Sequence, residues 1–288
     1  MLLALALSAC DGDEALRVSG EHGYVRCLAL EAPEARTWSV GSLRLALEER
    51  TLRIEGAPAR AKVAVFTGPV DAGSIRALKR SRPHLALMLG DLGPDGARAL
   101  VPLGVPVLFV AGGADRHAEL EALGELTGDA RDRVIDASRL RSIRIGKVEL
   151  VPVPGAPGGR YAISNEACGL GEGDLRGIDE AVGETEAGVH RYLLSWAAPA
   201  GGPLSRGLAE VEAGSPVIAE LAERVGAEGA IVAWPREHAG ETASEPFRAV
   251  APPLGGPWVE RADGTRLAPR VMVLVLSDGG LSPQAQAP

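Results

Sequence analysis

The sequence predicts an α/β protein whose strands and helices alternate early, with hairpins and further strands after them. That order suits a two-sheet sandwich flanked by helices. Two observations carry the prediction. Short apolar strands at 62–67, 84–90 and 106–110 recur about every twenty residues with helical stretches between them, the spacing of right-handed βαβ units in a parallel sheet. Two stretches that alternate apolar and polar residues, from Ser42 to Ile54 and from Ser142 to Pro152, read as antiparallel hairpins.

Each element has its own signal. The first hairpin pairs Ser42–Leu47 with Thr51–Ile54 around Glu48, Glu49 and Arg50. Helices are expected to open near Asp71, Pro94 and Asp115, with the two aspartates as N-caps and the proline in a first turn. The second hairpin turns at Gly146 and Lys147. From Gly155 to Gly188 the chain is rich in Gly, Glu and Asp with few apolar runs, which predicts a long loop with at most a short helix. Gly171-Glu172-Gly173-Asp174, inside it, reads as merely flexible. A strand at 191–195 follows, then a helix over 215–225 capped by Ser215 with Pro216 at its first position. Strands at 230–233, 247–251 and 270–277 close the set. No repeat or linker divides the chain, so residues 25–281 are expected to form one domain and 282–288 a frayed tail.

A chain of 288 residues, 46% hydrophobic, can fill the core of one large domain. Its formal charge of −8 argues against the basic face that nucleic acid requires. Residues 1–10 read as a targeting signal. Met1 to Ala9 is apolar and ends Leu7-Ser8-Ala9-Cys10, which resembles a bacterial lipobox. Cys10 would then be lipidated and hold the protein on a membrane of the cell envelope, on the periplasmic side, with residues 11–24 as a polar tether. The stretch is too short to span a bilayer. No Lys or Arg precedes it, so a cytosolic α/β protein with an accidental lipobox stays as a rival. With Cys10 used, Cys27 and Cys168 are an even pair in an oxidising compartment, either bonded or two buried thiols. Neither lies in a CxxC or Cys/His cluster, so no metal site is expected on them.

Chemistry in such a fold gathers where strands end. Five ends stand out: Thr67-Gly68 after the first parallel strand, Gly90-Asp91 after the second and Gly112-Gly113-Ala114-Asp115 after the third. Trp196 and Ala233-Trp234-Pro235-Arg236 follow the late strands. Their order and spacing resemble the calcineurin-like metallophosphoesterase superfamily over roughly residues 60–277. The resemblance implies a metallophosphoesterase-like fold, a four-layer αββα two-sheet sandwich. In that family the strand ends carry Asp-x-His, Gly-Asp, Gly-Asn-His-Asp/Glu, a later His and Gly-His-x-His. Together these hold two metals that activate a hydroxide and neutralise the phosphate.

Laid on this chain, the first block falls on Gly68-Pro69-Val70 and lacks both ligands. The second keeps Gly90 and Asp91, the bridging carboxylate. In the third, Gly112 is followed by Gly113 in place of the Asn and Ala114 in place of the proton-donating His. Trp196 stands for the fourth-block His, and Trp234 with Arg236 for the last pair. One carboxylate cannot supply the three or more ligands that a catalytic zinc needs. The expectation is therefore an envelope lipoprotein with a degenerate site, no catalytic residue, no cofactor and a binding or structural role toward an unidentified protein or small molecule. The alternative is an active phosphoester hydrolase with a Mn, Fe or Zn pair on an atypical site around Asp91 and Asp115; a rebuilt mononuclear site would draw on Asp91, Asp115, His117 and His238 around one rim. His22, His84 and His190 precede strands and fall on the opposite edge.

Two replacements suggest what fills the site instead. Arg236 would balance the charge of Asp91 in the metals' place, as against a solvated arginine. Trp196 and Trp234 would fill the metal pocket, or form a stacking platform for a ligand. No GxGxxG opening a helix, P-loop, HExxH or GxSxG is present.

Overall fold

The computed structural model describes residues 25–26, 32–157, 167–207, 210–255, 259–260, 266–267 and 270–284. The chain begins with β1 (Val25–Arg26), β2 (Arg36–Val40), β3 (Leu43–Glu48), β4 (Thr51–Glu55) and β5 (Ala61–Phe66). It continues through α1 (Ala72–Ser81), β6 (Leu85–Leu89), α2 (Gly96–Leu100), β7 (Val107–Val110), α3 (His117–Gly124), α4 (Gly128–Arg133) and β8 (Val134–Asp136). The middle holds β9 (Ser142–Ile145), β10 (Val148–Val153), β11 (Ala156–Pro157), β12 (Cys168–Leu170) and α5 (Glu172–Val182). Then come β13 (His190–Ala197), α6 (Pro216–Arg224), β14 (Gly229–Trp234), β15 (Thr242–Ser244) and β16 (Phe247–Val250). The last strands are β17 (Val259–Glu260), β18 (Arg266–Leu267), β19 (Met272–Ser277) and β20 (Gly280–Pro283).

The architecture is mixed α/β. A nine-stranded sheet runs β15-β16-β14-β13-β10-β9-β4-β3-β2 and a six-stranded sheet runs β20-β19-β5-β6-β7-β8. Within the six-stranded sheet β5 through β8 are parallel, as are β10, β13, β14 and β16 in the larger one. Parallel strands are covered on both faces and so read as unbroken apolar runs; every residue of β6 is buried.

The alternation of side chains along β5 distributes them between two cores. Val63 and Val65 join a cluster with Leu87 and Leu89 of β6 and with Leu45, Ile54, Ile143, Leu150 and Leu194 of the nine-stranded sheet. Ala64 and Phe66 point the other way, onto Ile75 and Leu78 of α1, Leu100 of α2 and Leu123 of α3. On the far side of the larger sheet, Val151, Leu193 and Val232 pack against Leu175 and Ile178 of α5 and Ile218 and Leu221 of α6. Among the described residues no helix is long and apolar enough to cross a membrane.

Local chemistry sets the helix ends. Asp71 Oδ1 accepts from the Ser74 N–H at 2.7 Å and opens α1, and Ser215 Oγ accepts from Ile218 to open α6. Two starts differ from the sequence reading. Arg116, not Asp115, caps α3, and Glu119 in the first turn takes the Arg116 N–H at 3.0 Å. The helix expected at Pro94 begins at Gly96, after Asp95.

The segment expected to be a loop is also corrected, for it holds β12 and the three-turn helix α5. Asp174 Oδ2 accepts from the Gly171 N–H at 2.9 Å, so the Gly171–Asp174 stretch is a helix start. Leu175 and Ile178, three apart, then face the sheet. The expected tail is part strand: Ser282 and Pro283 pair with Val275 and Leu274.

The helix-covered face of the larger sheet contains a buried ion network. Arg191 is fully buried, and its Nε donates to Glu149 Oε2 at 2.8 Å. Its Nη1 donates to the carbonyls of Gly183 (2.9 Å) and Val225 (2.5 Å), just past the ends of α5 and α6. Ser142 and Arg144 complete the shell around Glu149. Burial alone would raise the Glu149 carboxyl, but hydrogen bonds from Ser142 and Arg191 hold it below its usual range. Removing one partner strands the other charge, so Arg191→Met is expected to cost about 3–5 kcal/mol in urea unfolding. The double variant Glu149→Gln/Arg191→Met should recover part of that loss. An Arg191→Met midpoint equal to that of the parent chain would refute the assignment.

Candidate functional site

The carboxyl ends of β5, β6, β7, β14 and β16 meet at one edge. Backbone bonds stitch the two sheets together there. The Thr67 N–H donates to Pro252 O and Leu254 N–H to Thr67 O, each at 2.9 Å, joining the exits of β5 and β16. Gly155 N–H donates to Ala111 O at 2.7 Å, joining those of β10 and β7. Crevices outside the carboxyl ends of such strands are where α/β sheets place ligands.

Asp115 organises this edge. It is fully buried, and Oδ2 accepts from the N–H groups of Gly112 (2.7 Å) and Asp91 (3.1 Å). Oδ1 accepts from Leu92 N–H at 2.7 Å. Gly90 and Asp91 both have left-handed backbone, φ +72° and +58°, which turns successive N–H groups toward one anion. For a non-glycine residue such as Asp91 that conformation costs about 1 kcal/mol, and the hydrogen bonds to Asp115 offset it. Burial pushes the Asp115 carboxyl up to about 7 against the pull of Leu92 and Gly112, with the neighbouring Asp91 and Glu119 charges adding to the rise.

Asp91 projects from this turn. Its Oδ2 accepts from Thr67 Oγ1 at 3.1 Å and from Arg236 Nη2 in an ion pair. Burial raises the Asp91 carboxyl, and Arg236 and then Thr67 oppose the rise. Arg236 also lies over the ring of Trp196, with its guanidinium carbon 5.7 Å from the centroid, within cation–π range. Trp196 is 1% exposed and its six-membered ring rests on Gly90 and Gly112. A Cβ at either glycine would collide with that ring, so these two positions must be bare for the indole to fit.

Beside the pair is a cleft of about 270 Å³ lined by Thr67, Asp91, Ala114, Glu119, Arg236 and Pro253, among others. Gly68 also lines it, while Gly113 is buried away from it. Of the residues singled out from sequence, Asp91, Asp115, Gly90, Gly112, Ala114, Trp196 and Arg236 come together here. The histidines do not. His117 is half-exposed and pairs with Glu121 at 3.0 Å, one helical turn on. His238 bonds Glu241 at 2.9 Å and the Arg206 carbonyl at 2.8 Å. His117 and His238, expected on one rim with the two carboxylates, have these nearer partners and do not line the cleft. Trp234 packs on the inter-sheet core instead of the cleft. His84, just before β6, accepts from Lys62 N–H, and His190, the first residue of β13, pairs with Glu228.

Cys168 is disulfide-bonded, and Cys10, His22 and Cys27 lie outside the described residues. Two site residues were given no role from sequence. Thr67, at the tip of β5, gives no motif signal. Glu119 was detectable as an acid three residues past a helix start, had the start been placed at Arg116.

The donor set does not fit the two metals that the resemblance implies. Among the described residues no three His, Cys, Asp or Glu side chains are placed to hold one ion. Both Asp115 oxygens are turned to backbone N–H groups, and Glu119 is taken by Arg116.

No family model matches the chain, and no curated protein does. A solved crystal structure superposes at TM-score 0.49 with 12% identity, over 78% of this chain and 99% of that one, too little to carry an argument.

An acid whose folded pKa is raised binds its proton more tightly when folded, so the stability it contributes falls as pH rises from about 4 toward 7. Asp115→Asn places an amide against N–H donors and is expected to cost about 1–3 kcal/mol. The stability margin of the parent chain over Asp115→Asn should narrow between pH 4 and 7 in urea titrations; a margin that widens would reverse the assignment.

Proposed function

We propose that this protein is an envelope lipoprotein with a metallophosphoesterase-like, four-layer αββα sandwich that has lost its metal centre and serves as a non-catalytic binding or structural protein. One observation carries the reading. Where the resemblance puts metal ligands, Arg236 meets Asp91 and an indole covers Gly90 and Gly112. A guanidinium there supplies positive charge, but it neither activates water nor leaves room for imidazoles.

The layer order supports the fold assignment. Helices α1, α2 and α3 cover the outer face of one sheet and α5 and α6 that of the other, with a shared core between. The Cys168 disulfide supports an oxidising compartment. Its proposed partner is Cys27, the residue that the sequence pairs with it. Anchoring falls to a lipidated Cys10, the remaining cysteine.

Two measurements test this. Purified protein is expected to contain no stoichiometric Mn, Fe or Zn and to leave a generic phosphodiester intact. Stoichiometric metal with turnover abolished in Asp91→Ala would establish the hydrolase alternative around Asp91 and Asp115. Labelled palmitate should enter the parent chain in a bacterial host and be lost in Cys10→Ala; equal labelling of the two would remove the anchor.

A further inference from the structure

We propose that the cleft beside Asp91 and Arg236 binds a compact zwitterion, an α-amino acid or a molecule of the same charge pattern. This rests on the non-catalytic reading and names its ligand class. The argument begins with unused hydrogen-bonding capacity. Asp91 engages Thr67 and Arg236 through Oδ2 alone, and Oδ1 takes no hydrogen bond from the described residues. Arg236 donates through Nη2 alone; its other N–H groups find no acceptor among the described residues, and its Nε is buried. Each partner of the ion pair thus has an idle half. Both residues line the cleft, with side chains 13% and 29% exposed.

Charge selects the ligand. A simple anion drawn to Arg236 would also meet the Asp91 and Glu119 carboxylates that line the same cleft. A simple cation drawn to Asp91 would face the guanidinium. A molecule carrying both signs on adjacent atoms meets each charge with its opposite: an ammonium at Asp91 Oδ1 and a carboxylate at the guanidinium. Charge-assisted bonds of this kind are roughly twice as strong as neutral ones. Partial burial of the pair favours them over a neutral amide.

Size and walls narrow the class further. At about 270 Å³ the cleft lies just under the usual range for drug-sized ligands. Pro69, Ala114, Ala251 and Pro253 supply apolar wall for a short aliphatic side chain.

The test is a calorimetric and thermal-shift titration of the purified protein with alanine, and separately with acetate, ethylamine and propionamide. Alanine is expected to bind saturably and raise the melting temperature, while the three fragments bind at least about tenfold more weakly. Arg236→Gln should weaken alanine binding by about tenfold or more, as removing one partner of a desolvated charge pair does. Ala114→Leu fills the cleft without touching either charge and should abolish binding with the circular dichroism spectrum unchanged. The proposal is overturned if alanine gives no saturable response, if any fragment alone matches it, or if Ala114→Leu binds normally. Metal content of the same sample separates the two readings. Metal-free protein that ignores alanine refutes only the zwitterion site, and metal-loaded protein refutes the lost-centre reading beneath it.

Discussion

The buried carboxylate of Asp115 is the constraint on which the functional edge depends. It collects N–H groups from the ends of two neighbouring parallel strands, two from the turn after β6 and one from the turn after β7. The Leu92 and Gly112 N–H groups would otherwise be unpaired in a buried setting, at about 1–3 kcal/mol apiece. Holding them also holds Gly90 and Asp91 in left-handed backbone, and that conformation aims the Asp91 side chain across the gap between the sheets. The Asp91–Arg236 pair and the cleft beside it follow from this one anchoring acid.

Charge compensation then decides what the site can be. A partly buried carboxylate without a counter-charge costs several kcal/mol or takes up a proton. Arg236 supplies that charge with geometry from the opposite sheet, and Thr67 adds a hydroxyl. The cost of filling the rest of the space is visible in Trp196, whose buried indole N–H has no partner among the described residues. Burying a large aromatic surface is favourable by several kcal/mol, enough to tolerate one unpaired donor. The resulting site pairs Asp91 with Arg236 and, among the described residues, gathers no three His, Cys, Asp or Glu side chains around one point.

The same economy of arginine recurs away from the cleft. Arg191 and Arg248 are both buried, and both spend donors on backbone carbonyls. Arg191 holds Gly183, Glu184 and Val225 before β13 and β14, and Arg248 holds Pro199 at 3.1 Å and Pro203 at 2.7 Å after β13. Loops at both ends of β13 are pinned by guanidinium groups with more donors than one carboxylate can use. This strand carries Trp196, so its fixed position serves the cleft as well.

Much of the secondary structure was legible from local pattern. The strands 62–67, 84–90 and 106–110 fall within a residue or two of β5, β6 and β7, and the Asp71 and Ser215 caps stand where expected. Helix α5 was missed because its Gly- and Asp-rich run has weak intrinsic preference, and packing of Leu175 and Ile178 on the sheet decides it. Asp115 resembled a helix cap because its three donors include two more than twenty residues away. His117 and His238 resembled ligands because a sequence does not show which neighbour a ring will bond. The sequence by itself determined the alternation of strands and helices and the lack of imidazoles at the strand ends. Only the tertiary structure decided that Arg236, 145 residues from Asp91, meets it, since that contact depends on strand order across two sheets. Local patterns carry no information about which distant strand ends become neighbours.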